Sequence, residues 1–198
     1  MMVETHLANG LPAFNIVGLP EKVVQESRDR VRSALVNSGF EFPARRITVN
    51  LAPADLPKQG SCFDLAIAVG ILLASGQLPK GAADGYELIG ELSLAGTVRA
   101  ISGILPMALA ARAARARVIL PQDNLSEASL VTGLPIHPVG HLLAVTGHLG
   151  GTQPIAAAAV KTDDAGLAPM TPDLAEVCGQ AQARRALEVA AAGRHNLL

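Results

Sequence analysis

Strand-like runs of mixed apolar and polar residues open the chain at residues 3–7 and 13–17, and Asn9-Gly10 between them predicts a hairpin. Pro20 falls where a first helical turn tolerates it. Val23, Val24, Ser27, Val31, Ala34 and Leu35 then follow at helical spacing until Gly39 ends the pattern, and Lys22, Glu26, Arg28, Arg30 and Arg32 occupy the other face. Residues 46–51 have the β-branched density of a strand, closed by Pro53 and Pro57. A Lys58-Gln-Gly-Ser-Cys62 loop leads into residues 64–75, a helix apolar nearly all round and therefore buried.

The pattern then alternates. Two strands are expected around Ala95-Gly96, an Ala-rich helix from about Ile104 to Arg115, and a strand at 117–120 closed by Pro121. Asn124 is placed to cap a small helix, and a strand at 135–139 precedes a helix at 141–149. Gly, Ala, Pro, Thr and Asp then mix without period, the composition of a linker. The expected organisation is a domain at 1–150, a linker at 151–172 and a further segment at 173–198. In that segment residues 173–192 read as a helix or helix pair. Asn196-Leu-Leu198 reads as the start of a buried strand stopped in mid-course, whose backbone groups would need partners. The fold class expected is α+β, a mixed sheet with helices packed on it.

Composition narrows the possibilities. With 198 residues and 49% hydrophobic content there is material for a real core, which excludes global disorder. Sixteen Lys and Arg against seventeen Asp and Glu leave a net charge of −1, which excludes a globally basic nucleic-acid binder but not a local patch. Aromatics at 3%, with no Trp, leave no base-stacking platform. Cys62 and Cys178 read as free thiols in a reducing compartment. The longest nearly apolar run, 65–75, is short of the roughly 20 residues a bilayer span needs, so a cytoplasmic protein without membrane contact is expected.

None of the four lysines follows a glycine, so the phosphate-cradling loop Gly-x-x-x-x-Gly-Lys-Ser/Thr is absent from these residues and this chain alone is not expected to hydrolyse ATP. His137, His141 and His148 fall within twelve residues. Without a Cys or carboxylate at ligand spacing they read as surface or satisfied-core histidines rather than zinc ligands. Cys62 stands at the start of a buried helix, where the helix dipole would lower a thiol's pKa, or it is a small apolar residue at a helix terminus. Asp64 reads as an N-terminal charge or cap for the same helix. Arg28 and Arg32 lie four apart and Arg45-Arg46 precede a strand. Both pairs could face one nucleic-acid backbone, although an ordinary solvated helix face carries the same letters.

Longer motifs add a resemblance. Leu7-Ala-Asn-Gly-Leu-Pro-Ala-Phe-Asn-Ile-Val-Gly-Leu-Pro20, Glu26-Ser-Arg-Asp-Arg-Val31, Asn37-Ser-Gly-Phe40, the run from Pro43 to Lys58 and Phe63-Asp-Leu65 resemble the YifB/ComM family of magnesium-chelatase-like AAA+ proteins, over almost the whole chain. The resemblance implies an N-terminal domain similar to the proteolytic domain of Lon (a ribosomal-protein-like fold), followed by a magnesium-chelatase-type ATPase. Residues 173–198 look like the helical entry to that AAA+ module, ahead of its Walker A loop, and relatives usually begin about one strand before Met1.

Pro57-Lys-Gln-Gly-Ser-Cys62 resembles the loop where Lon-type proteases carry their nucleophilic serine, which sets Cys62 at the nucleophile. Val98-Arg-Ala-Ile-Ser-Gly-Ile-Leu105 resembles the segment that supplies their catalytic lysine, and the position is Leu105 here. A Ser-Lys dyad uses the amine as general base, and an isobutyl group accepts no proton. The resemblance therefore implies a non-proteolytic domain of a motor linked to DNA branch migration in natural transformation. Arg28, Arg32, Arg45, Arg46 and Lys58 are the candidates for phosphate contacts, with loss of Arg45 and Arg46 expected to lower the salt slope of binding by about one unit per lost contact. No cofactor is expected in this chain. ATP and Mg²⁺, DNA, the chain's own AAA+ module and a homo-oligomeric ring, a hexamer, are implied for the full-length protein. The rival readings are a residual Cys62-dependent peptidase or acyl transferase, a pure assembly module, and chelatase-like metal insertion, for which nothing in the segment supplies a porphyrin or Mg²⁺ site.

Overall fold

The structure is a computed structural model that describes residues 1–58, 60–158 and 173–196. The chain divides into two compact units, Met1–Val160 and Lys161–Leu198. The architecture is mixed α/β, with small sheets and six α-helices among the described residues.

The first unit begins with strands β1 (Met2–Ala8) and β2 (Ala13–Val17), helix α1 (Lys22–Asn37) and strand β3 (Arg46–Ala52). The expected hairpin does not form. β3 lies between the other two, antiparallel to β1 and parallel to β2, and Ala8 and Ala13 both pair with Arg46. Residues 9–12 therefore cross two strand spacings, about 10 Å, instead of closing a tight turn. β3 takes the centre because Ile47, Val49 and Leu51 are fully buried on one of its faces, whereas β1 and β2 present Glu4, His6 and Asn15 to solvent. The parallel β2–β3 pair needs a crossover, and α1 supplies it.

α1 buries Val24, Ser27, Val31, Ala34 and Leu35, but Val23 is exposed, and Pro20 stands ahead of the helix, bridged to Lys58. Helix α2 (Asp64–Ala74) buries Leu65, Ile67, Ala68, Val69, Ile71 and Leu72, which explains its all-round hydrophobicity. It lies closely on β1 because Gly70 has no Cβ; an added one would come within 2.5 Å of Thr5 Oγ1.

Strand β4 (Tyr86–Leu88) is followed by a small hairpin, β5 (Glu91–Leu92) with β6 (Val98–Arg99), then by helix α3 (Ile104–Ala113), β7 (Arg117–Pro121), the short α4 (Leu125–Ala128), β8 (Ile136–Val139) and α5 (Leu142–Leu149). β4, β7 and β8 form a parallel sheet with β7 central. Val118, Leu120 and Ile136 join Ile104, Ala108 and Ala128 in one hydrophobic cluster, whereas Ile119 and Val139 join the larger cluster around α1, α2 and β3. This sheet thus has apolar material on both faces, as parallel sheets do.

Two local expectations change. Asn124 makes no cap bond; its Oδ1 accepts from Ile101 N and its Nδ2 donates to Ile101 O, both at 2.9 Å, because a buried amide satisfies both ends best on a facing peptide group. Residues 151–158 were expected in the linker, yet they are tied to the first unit. Gln153 N donates to Gly147 O at 3.0 Å, Ala158 N donates to Ile136 O at 2.7 Å, and the Ile155 side chain packs on the larger cluster.

In the second unit a 3-10 turn, Leu174–Glu176, is capped by the Asp173 carboxylate and is followed by α6 (Ala181–Gly193). The rest of the linker, 159–172, and the last two residues of the expected strand, 197–198, lie outside the described residues. Among the described residues no helix is long and apolar enough to cross a membrane.

Candidate functional site

Cys62 precedes α2, half-buried and packed against both hydrophobic clusters. The loop is pinned to residue 90: Gly90 N donates to Cys62 O at 3.0 Å and Leu65 N donates to Gly90 O at 3.1 Å. Leu105, near the start of α3, packs on the smaller of the same clusters, so the fold brings the two dyad-like positions to one hydrophobic neighbourhood. Of the two readings of Cys62, this packing favours the small apolar residue at a helix terminus over the activated thiol. Burial pushes the Cys62 thiol up, and the nearby Asp64 charge adds to the rise, against a smaller opposing contribution from a backbone hydrogen bond. Ser61 Oγ donates to the Glu91 carboxylate. Among the described residues no group of three or more His, Cys, Asp and Glu side chains is placed to hold a metal ion.

Asp64 does more than charge a helix terminus. Its side chain is 0% exposed; Oδ2 accepts from Arg30 Nε at 2.7 Å and from Leu92 N at 3.2 Å, and Oδ1 accepts from Arg30 Nη2 at 3.0 Å and from Ser27 Oγ. This bidentate pair joins α1, α2 and β5 beneath the Cys62 loop. Asp64 also raises the Arg30 pKa above its ordinary value through hydrogen bonding, so the guanidinium is firmly charged. The pairing escapes a reading of the letters because Arg30 is 34 residues away from Asp64. The available clue is Ser27 at the helical i−3 position, which aims both side chains in one direction.

Three of the five candidate cations meet at one groove. Arg28 and Arg32 of α1 and Arg45 from the loop before β3 line an open concavity of about 500 Å³ together with Phe14, Asp29, Phe42 and Pro43. Arg32 lies over the Phe42 ring, 5.3 Å from its centroid, and the Phe14 and Phe42 rings are 5.9 Å apart. One helical turn separates Arg28 from Arg32, which sets both on the same edge of α1. Phe14 and Phe42 are lining residues that reading for charge overlooked.

Arg46 is exposed at the start of β3, where alternation sets it opposite Ile47 and outside the residues lining the groove. Lys58 is displaced altogether as a phosphate contact: it is 0% exposed, its main chain bonds Leu19 and Glu21, and Nζ donates to the Pro53 carbonyl. A buried ammonium already holding a carbonyl cannot reach a phosphate without the loop opening.

The three histidines are not a common ligand set. His141 caps α5, with Nδ1 accepting from Leu143 N at 3.2 Å and Nε2 3.0 Å from Ala95 O. His137 of β8 and His148 of α5 lie with ring centres 4.7 Å apart, both beside Tyr86.

Comparison with known proteins agrees with the motifs. The family described as subunit ChlI of Mg-chelatase matches residues 3–124, and a second description, magnesium chelatase, subunit ChlI, matches residues 173–198. The chain is 48% identical to the competence protein ComM of Haemophilus influenzae and 47% identical to the uncharacterized protein YifB of Escherichia coli, in each case over 99% of this chain and 39% or 38% of the relative. It thus spans about two fifths of the length of these relatives. A Lon protease of Chloroflexus aurantiacus is 28% identical over 73% of this chain and 19% of its own length. The chain belongs to the ComM/YifB magnesium-chelatase-like family, of which it carries the N-terminal, ChlI-like region.

Proposed function

We propose that the first unit is a Lon-like domain without proteolytic chemistry that contacts DNA phosphates within a ComM-type motor. The observation that carries the reading is the convergence of Arg28, Arg32 and Arg45 on one open groove, from two elements separate in sequence. Three arginines against Asp29 leave a surplus of two positive charges there, on a chain whose net charge is −1. Such a patch binds phosphates as point charges and forks without reading bases.

The Lon-like fold is supported by the likeness to the Lon protease over most of the chain, and the loss of proteolysis by Leu105 and the rise in the Cys62 pKa. A thiol kept protonated, with hydrocarbon where a base would stand, does not attack a peptide bond at useful rates. In this reading ATP and Mg²⁺ belong to the module that continues from residues 173–198. The whole protein works as a cytoplasmic homo-oligomeric ring, a hexamer, on DNA during recombination in natural transformation. The relative described as a competence protein supports that last step.

Fluorescence anisotropy with a labelled duplex tests the groove. Three phosphate contacts give a slope of log K against log salt of about −2.7. Replacing Arg28, Arg32 and Arg45 by Ala abolishes that slope, whereas Arg46→Ala leaves it in place. All of these side chains are exposed, so the fold tolerates the changes. Salt-independent binding, or unchanged binding by the triple variant, overturns the assignment.

A further inference from the structure

Ile155 is held by both of its backbone polar groups, and both holders are histidines. Ile155 N donates to His148 Nδ1 at 2.9 Å, and Ile155 O lies 2.9 Å from His137 Nδ1. A carbonyl only accepts, so His137 carries its proton on Nδ1. A nitrogen that accepts an N–H is unprotonated, so His148 carries its proton on Nε2, which donates to Tyr86 Oη at 2.8 Å. Tyr86 Oη also accepts from Arg117 Nη1 at 2.9 Å, and the Arg117 guanidinium lies 3.8 Å from the centre of the tyrosine ring.

The arrangement gives a second proton on His148 no acceptor. His137 is 7% exposed and its Nε2 is buried without a partner. On His148 the sole vacant position is Nδ1, where the Ile155 N–H already points; a proton there turns an attraction into two opposed N–H groups 2.9 Å apart. The groups facing His148 from neighbouring elements are Tyr86 of β4, Arg117 of β7 and His137 of β8, with Asp84 behind Arg117 through its main-chain carbonyl. Burial pulls the pKa of His148 below its ordinary value, with His137 and Arg117 adding to the fall.

We propose that His148 is a proton-operated latch: neutral, it clasps Ile155 and helps to hold residues 151–158 on the first unit, and protonated, it loses that bond and raises the open population of the segment. In sequence the segment precedes residues 159–172, so release frees eight residues at that end of the first unit. The sign follows from linkage. The open state takes up a proton near the ordinary histidine pKa of about 6.5 and the clasped state at lower pH. The clasp is therefore complete above about 6.5 and is lost as pH falls towards the clasped-state pKa.

The test is amide exchange of the full chain between pH 7.5 and 5.5, corrected for intrinsic exchange, with α2 as the internal reference. The open population of residues 151–158 should rise by up to about tenfold per pH unit below about 6.5 while α2 stays constant. His148→Asn retains an acceptor near the Nδ1 position and does not titrate, so its segment should stay protected with no pH dependence. A pH-independent wild-type segment, or an unchanged pH dependence in H148N, overturns the latch. Should H148N fail to fold, nitrogen NMR of the wild-type rings decides. An Nε2–H tautomer of His148 that titrates together with Ile155 amide exchange supports the latch, and an Nδ1–H tautomer or uncoupled titrations refute it.

Discussion

Asp64→Asn removes one charge from a largely buried polar network in the first unit while keeping the side chain's size. The amide still offers one oxygen to Ser27 or Leu92, but Arg30 loses a bidentate partner at 2.7 and 3.0 Å. Breaking a buried ion pair from one side costs about 3–5 kcal/mol. The Arg30 side chain is 20% exposed and can turn partly to water, which lowers the expectation to about 2–4 kcal/mol. The assay is urea unfolding followed by tyrosine fluorescence. Tyr86 is the single tyrosine and there is no tryptophan, so the signal reports the first unit alone. With an m-value of about 2 kcal/mol/M the midpoint should fall by about 1–2 M. Arg30→Met combined with Asp64→Asn should cost less than the two single changes added together, because the second substitution removes the uncompensated charge. A loss below about 1 kcal/mol in Asp64→Asn, or strict additivity, refutes the view that this pair fastens α1 to the Cys62 loop.

Four further outcomes are expected. An electrophilic thiol probe at neutral pH should label the exposed Cys178 well before Cys62, read by peptide mass spectrometry, since burial suppresses the Cys62 thiolate; faster labelling of Cys62 contradicts this. Gly18→Ala should destabilise the first unit by more than about 2 kcal/mol in the same urea assay, because φ is +99° and an added Cβ would come 2.2 Å from Leu51 O. Gly133→Ala, at φ +78° with no neighbour within 4 Å, should cost only about 1 kcal/mol. Asn124→Ala should cost about 1–3 kcal/mol by orphaning both polar groups of Ile101.

Helices α1 and α2 could be read from the letters because each buries a face, or nearly its whole surface, in a way that period and hydrophobicity record directly. What failed was information carried across the chain. Asn9-Gly10 is a local turn signal and carries nothing about β3, which displaces β2 from β1. Asp64 looked like a cap because capping is local, whereas its partner Arg30 comes from another helix. Lys58 looked solvated because lysines usually are, but its bridge to Pro20 draws the stem inward and Pro53 supplies an acceptor. A helix start left Cys62 open as an activated thiol or a small apolar residue, and its packing on two hydrophobic clusters, which the letters do not record, favours the second. Residues 151–158 have a linker's composition yet are held by hydrogen bonds from their backbone, which composition does not register.

For the candidate groove, convergence of Arg28, Arg32 and Arg45 is the central claim, and arginine side-chain NMR tests it most directly. On adding duplex DNA at low salt, the Nε–Hε resonances of Arg28, Arg32 and Arg45 should shift together and recover as salt is raised, while those of Arg99 and Arg112 stay fixed. Shifts centred on other arginines, or none at protein concentrations where binding is seen, would contradict the account.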